Sequence, residues 1–422
     1  MPGALAHSAF SRIGQLAAQP RVHAAFQWFH LQERRMMQWQ QELVSIAAPP
    51  FGEQRRAEWL AERFRELKLE EVEIDRVGNV LGCYRGDRSV PHGPYVRPCV
   101  LISAHIDTVF PIDTPIEPLI ENNRLQAPGA CDNGAGVVGI LGMAAALESC
   151  GVELPCDLLF AGNVGEEGEG DLRGMRYLYG VSPWRERIAS NIVLDGAGAE
   201  VAVTQALGSR RYQVTMQGPG GHSWTDAGTP NPIVILSRAI AAMSEVALPA
   251  SPRTTMNVGT IEGGGSVNSI PERATARFDL RSLDAEQLVR LEVALHRVVE
   301  DAVIAANVLD RKAKGVGSLR FAIERIGDRP AGRLNDDSPL LEALHAVDRH
   351  LGIRTEQRVA STDANIPLSL GIPALSMGAG GDGGGIHTRS EWYDSGGREL
   401  ALKRILLLLL LTSEQVCHEA RV

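Results

Sequence analysis

Glu166 and Glu167 stand side by side in LLFAGNVGEEGEGDLRGMRYL, after an apolar run that includes Leu158, Leu159 and Phe160. Neighbouring residues at a strand's end point in different directions. One carboxylate can therefore bind a cation while the other faces the space a substrate would fill. That division suits metal-assisted hydrolysis, which needs a ligand and, beside it, a base to take the proton of the attacking water. A solvated acidic turn is the plainer reading of the same pair. Further residues of matching chemistry lie far off in the chain: His105, Asp107, Asp132, Asp195 and His387. Mixed imidazole and carboxylate sets suit zinc and similar divalent ions. In the His105-x-Asp107 unit the imidazole can bind while Asp107 orients it or its neighbour from behind. Four of these five have an ordinary alternative. His105 can be a satisfied buried histidine, Asp132 a helix N-cap, Asp195 a turn residue before Gly196, and His387 a loop histidine.

The elements around these residues give the set its weight. Four apolar runs each lead directly into one of the signatures: CVLISA into His105-Ile106-Asp107, DLLFAGNV into Glu166-Glu167, NIVL into Asp195-Gly196, and IPALSM into the Gly-rich loop that ends at His387. Helical stretches such as GVVGILGMAAALES and PLLEALHAVDRHLG separate them. Continuous apolar strands alternating with helices predict an α/β domain, with a mostly parallel sheet covered on both faces. Ligands of such sheets sit outside the carboxyl ends of the strands, where these residues are delivered. Upstream, residues 1 to about 70 read as helical. GEQRRAEWLAERFRELKL is one such helix, with Trp59, Leu60, Phe64 and Leu67 on one face. The short strands EEVEID and NVLGCYRG follow, then the turn-rich GDRSVPHGPYVRP.

The texture changes over residues 208–325. There the order strand, helix, strand, strand, helix, strand matches a ferredoxin-like α+β unit. In ATARFDLRS, Ala274, Ala276, Phe278 and Leu280 alternate with Thr275, Arg277, Asp279 and Arg281, so one face is exposed. We expect this unit to be inserted between residues 1–207 and 326–422, which together form the catalytic domain.

The bulk properties exclude several classes. The 422 residues accommodate two or three domains, and 44% hydrophobic with 22% charged residues is ordinary for a soluble globular protein. A net charge of -9, with no basic stripe, argues against a nucleic-acid partner. Six cysteines without a CxxC pair read as buried thiols in a reducing, cytoplasmic compartment. No secretory leader is read at the N-terminus. The apolar run Ile405 to Leu411 is far short of the ~20 residues that span a bilayer, so no membrane partner is expected. Gly134, Gly136 and Gly139 form a literal GxGxxG, but QAPGACDN before it is not the strand a dinucleotide site requires. GAGGDGGG (378–385) lacks a P-loop lysine and reads as a flexible loop, and no G-x-S-x-G elbow is present.

The motifs SAHIDTVFP, GACDNGAGV, GNVGEEGEGDLRG, LDGAG, GPGGHSW, SVNSIPERATARFDLR and STDAN…GIHTRSEW resemble, in order and spacing, those of the di-zinc exopeptidases. That family includes peptidase T, glutamate carboxypeptidase, carnosinase-like dipeptidases, acetylornithine deacetylase and aminoacylase. The resemblance runs from roughly residue 40 to 415. It implies two divalent ions, Zn2+ first, with Co2+ or Mn2+ as alternatives. His105 and Asp195 would hold one ion, Glu167 and His387 the other, and Asp132 would bridge both beside an unusual peptide bond to Asn133. Glu166 would be the general base and Asp107 the carboxylate behind the ligands. His222 would reach a partner subunit's site to stabilise the oxyanion, its ordinary alternative being an exposed loop histidine. Asn268 and Arg281 would grip a substrate carboxylate, for which a forked guanidinium is better suited than lysine. The implied protein is a homodimer, joined through an inserted domain that also serves as a lid and gates the reaction. Asn-Gly after Asp132, and Asp382 in a loop so rich in glycine, depart from the family's pattern and put specificity in doubt. Three functions stay open: an exopeptidase acting on small peptides, an N-acyl amino acid deacylase, and a non-catalytic binding protein.

Overall fold

The computed structural model describes residues 3–87, 97–313 and 318–419. Most of the turn-rich GDRSVPHGPYVRP, at residues 88–96, lies outside them. The chain divides into two compact units, Met1–Ala206 with Arg333–Val422, and Leu207–Gly332.

The first unit is built on a nine-stranded mixed sheet. Its centre runs Asp157–Asn163, Cys99–His105, Ile188–Leu194, Ala374–Met377, with every neighbouring pair parallel. These are the four apolar runs that precede the polar signatures. Parallel pairing makes all four leave the sheet at one edge. Cys99–His105 and Asp157–Asn163 are buried along their whole length, as strands covered on both faces must be. Val100, Ile102, Leu158 and Phe160 pack on one side with Leu60 and Phe64. Leu101 and Leu159 face the other, against Leu172, Met175 and Leu178. The helix over 52–69 is realised as Gln54–Glu66, and Ile405 to Leu411 lies buried within Arg398–Glu419. Antiparallel strands flank the parallel centre on both sides.

Helix Gly134–Cys150 is buried almost all round. Its glycines allow close contact. A Cβ on Gly136 would lie 2.6 Å from the Leu194 carbonyl oxygen, and one on Gly139 would lie 2.9 Å from Ala379 Cβ. The GxGxxG pattern is thus explained by helix-to-strand packing.

The second unit is a four-stranded antiparallel sheet in the order Thr254–Gly263, Arg273–Ser282, Gly208–Gln217, Arg320–Arg329. With helices Pro232–Ser244 and Ala285–Ala313 this is the ferredoxin-like arrangement. Tyr212, Val214, Phe278 and Leu280 meet Leu236, Leu291, Leu295 and Val299 in its core. The last strand continues to Arg329, so the unit closes at Gly332, later than residue 325.

GAGGDGGG is not a loose loop. Asp382–Gly384 is a strand paired with Trp392–Asp394 in a second four-stranded antiparallel sheet, because Trp392 and Tyr393 supply the packing that the glycines cannot. Among the described residues no helix is long and apolar enough to cross a membrane.

Phe278 is 2% exposed at the centre of the second unit's core. We expect Phe278→Ala to lower unfolding stability by about 3–5 kcal/mol, read from urea denaturation. An unchanged midpoint would contradict the packing described.

Candidate metal centre

The four strand exits bring their polar residues together. His105, Asp132 and Asp195 place one ligand atom each within 4.8 Å of one another, and so do Asp132, Glu167 and His387. Asp132 belongs to both groups. His105 with Glu166 and Glu167 forms a third, fully buried set. His105 Nε2 lies 3.1 Å from Asp132 Oδ1 and 3.7 Å from Asp195 Oδ1. His387 Nε2 lies 3.1 Å from both Asp132 Oδ2 and Glu167 Oε1.

Backbone contacts fix each residue. Asp107 is buried, and its two oxygens accept the N–H groups of Glu166 (3.0 Å) and Glu167 (2.8 Å). Gly165 turns the chain between strand and glutamates with φ +67, a conformation natural to glycine. Asn79 Oδ1 holds Val164 N–H at 3.0 Å just before this turn. His105 Nδ1 donates to the Asp107 carbonyl oxygen at 3.1 Å. The Asp132–Asn133 peptide is cis. The N-cap of helix Gly134–Cys150 is Asn133, not Asp132. Asn133 Oδ1 accepts from Gly136 N and Gly196 N, both at 3.0 Å, and its Nδ2 donates to Leu194 O at 2.9 Å. This bond set frees the Asp132 carboxylate and ties its loop to that of Asp195.

A divalent ion suits these residues on three counts. With Nδ1 of His105 donating to a carbonyl, Nε2 presents a lone pair towards two carboxylates. Asp132 Oδ1 is buried and makes no hydrogen bond, although Nε2 is only 3.1 Å away. Acceptors turned toward one another in this way call for a cation or a shared proton. Finally, imidazole with carboxylate is a donor set of zinc-type ions.

The electrostatics have the same origin. Burial pulls the His105 imidazole down, but Asp132, Asp195 and Asp107 more than reverse it and hold it well above its ordinary value. Burial works to raise Asp132, yet the two imidazoles against it keep its carboxyl below the usual range. Glu167 is pushed up to about 7 by burial, with His105 opposing and Asp132 adding. The bond to Asp132 lifts His387 to about 9. Perturbed groups gathered at a strand edge mark a functional site.

Three of the remaining candidates belong to the second unit. His222, in the second unit, is exposed on a two-residue strand paired with Ser269–Ile270, and Asp226 accepts its N–H at 2.7 Å. Asn268 is its neighbour, through Ser223 N to Asn268 O at 3.0 Å. Arg281 sits near the far end of Arg273–Ser282, its Nε bonded to Asp279 Oδ2 at 2.7 Å. About 26 Å of strand separates Arg273 from Arg281. The structure therefore does not bring Asn268 and Arg281 of one chain together. Asp382 is exposed and outside the ligand groups.

Several supporting residues stand outside the set expected from the sequence. Asp363 is fully buried, accepts from Asn163 Nδ2 at 2.7 Å, and is pushed up to about 7 by burial. Its signal was the STDAN motif. Arg56, on the apolar face of its helix, donates to the carbonyls of Ile46 and Ile106, and burial lowers it to about 10. Glu391 accepts N–H groups around Asp132.

The model of peptidase family M20/M25/M40 matches residues 101–411. The chain is 27% identical over 300 residues to a probable carboxypeptidase of Aspergillus clavatus, covering 65% of this chain and 62% of that protein. It is 26% identical over 361 residues to succinyl-diaminopimelate desuccinylase of Corynebacterium glutamicum, covering 83% and 89%. A tripeptidase crystal structure from Staphylococcus aureus superposes with a TM-score of 0.71 at 20% identity, covering 91% of this chain and 99% of that one. The chain belongs to peptidase family M20/M25/M40, a family of hydrolases.

Proposed function

We propose that this protein is a metal-dependent exopeptidase that hydrolyses terminal amide bonds of small peptides. The observation that carries the reading is the pair of ligand groups sharing Asp132, with Glu166 beside them. His105, Asp195 and Asp132 would hold one divalent ion, and Asp132, Glu167 and His387 a second, with Zn2+ our first choice. When bound, such ions acidify water and polarise an amide carbonyl.

Glu166, 6% exposed, has its backbone held by Asp107, so its carboxylate has a defined place at the substrate edge. It takes the proton of the attacking water and returns it to the leaving amine. Arg281 lies half-buried on a strand face that alternates polar with apolar residues, and we assign it the substrate carboxylate. His222 and Asn268 sit together at the paired short strands Gly221–His222 and Ser269–Ile270, far along the strand from Arg281. We therefore assign that pair to the site of a second copy of this chain, with His222 donating to the developing oxyanion. The proposed homodimer, formed through the inserted unit, follows from that assignment. Six free thiols support a reducing cytoplasm.

N-acyl amino acid deacylation is the second reading. It uses the same residues on the same bond type, and the desuccinylase relative favours it. The intact base and ligands argue against a binding-only role.

Glu166→Gln is expected to retain its metal and lose roughly 10²–10⁴-fold in kcat. Metal analysis and initial rates on a di- and tripeptide panel check this, and full activity in the variant would remove the base. Chelator should abolish all turnover, with recovery on adding Zn2+. Arg281→Met should lose activity towards free-carboxylate peptides by about 10-fold or more, while C-terminally amidated peptides change little. Equal loss on both sets would refute the carboxylate role, and cleavage of N-acyl amino acids alone would favour the deacylase.

A further inference from the structure

We propose that Glu391 is a positioning residue for cation binding, holding the backbone that presents Asp132 so that both ligand groups depend on it. This rests on the reading of Asp132 as the ligand shared by two ions.

Glu391 is completely buried. Its Oε1 accepts the N–H groups of Cys131 (2.8 Å) and Asp132 (2.7 Å), and its Oε2 accepts that of Gly129 (2.8 Å). Both oxygens are thus directed at the main chain of one short loop. Burial raises the Glu391 carboxyl, while the three N–H groups work to lower it. Those N–H groups precede helix Gly134–Cys150 and are not used by its hydrogen bonds. A buried carboxylate satisfies all three with one side chain.

The same turn delivers His387. Thr388 N bonds Gly385 O at 2.9 Å, Glu391 N bonds Thr388 O at 3.2 Å, and Ala127 N bonds Glu391 O at 3.0 Å. His387 adopts φ +63 within this turn. Asp132 is therefore gripped twice by one segment, at its backbone by Glu391 and at its carboxylate by His387. Gln40 Nε2 holds the adjoining Ala130 carbonyl at 2.6 Å, and Asn133 ties the far side to Leu194. Only Glu391 among these fixes the N–H of Asp132 itself. Outer contacts of this kind orient ligands, and their loss commonly weakens metal binding. Because Asp132 is shared, loss of Glu391 must weaken both ions together.

The test is a Zn2+ titration of the full chain by competition with a chelating dye. Glu391→Gln keeps the shape but sets an amide N–H against a backbone N–H, and Glu391→Asp keeps the charge at shorter reach. Leu344→Ala, which removes a buried side chain in helix Pro339–Leu351, controls for general loss of stability. Both Glu391 variants should bind both ions roughly 10- to 100-fold more weakly. In hydrogen exchange without metal, the amides of Gly129, Cys131 and Asp132 should lose protection. Leu344→Ala should leave affinity and these amides unchanged. If Glu391→Gln fails to fold, Glu391→Asp gives the reading. Affinities within about threefold of wild type, or a loss matched by Leu344→Ala, would overturn the proposal. Absence of Zn2+ binding by the wild type would overturn the metal reading, and this inference with it.

Discussion

The first unit answers one electrostatic constraint: like charges must be kept close together, out of water, around Asp132. Carboxylates from three separate segments converge there with two imidazoles. Their mutual repulsion and their burial both oppose the arrangement. It persists because the surrounding backbone is over-determined, and because imidazoles, protons or cations offset the charge.

The parallel sheet does most of the positioning. Four strands that leave at one edge deliver His105, the Glu166-Glu167 turn, Asp195 and the segment leading to His387. The turns beyond the strands are then fastened by buried side chains. Asp107 holds the two glutamate N–H groups, and Asn133 joins the Asp132 and Asp195 loops. Two buried arginines of the C-terminal helix reinforce this from below. Arg404 bonds Asp348 and the Ala199 carbonyl, and Arg398 bonds Gln40, which in turn holds Ala130. Helix Glu33–Val44, upstream of the family match, thus supports the site through Gln40.

Much of this was legible in the sequence because it depends on local pattern. Continuous apolar runs ending in His, Asp or Glu betray buried parallel strands, and polar-apolar alternation in ATARFDLRS betrays a one-sided sheet. What was not legible depends on pairing between distant segments. Glu391 looks like any polar residue after a loop histidine, yet its partners lie some 260 residues earlier. Asp132 and Asn133 both suit an N-cap, and only the backbone geometry decides for Asn133. Glycines disguised the strand Asp382–Gly384, whose partner Trp392–Asp394 provides the packing. Asn268 and Arg281 stand 13 positions apart in the sequence, and only the extended strand between them shows that one chain cannot close them on a single carboxylate.

What matters most is whether two cations sit on either side of one aspartate. Crystals grown with Zn2+, measured at the zinc absorption edge, test this most directly. Two anomalous peaks are expected, each about 2.0–2.2 Å from an oxygen of Asp132, one also reached by His105 and Asp195, the other by Glu167 and His387. A single peak, or none within reach of Asp132, would rule out the shared site.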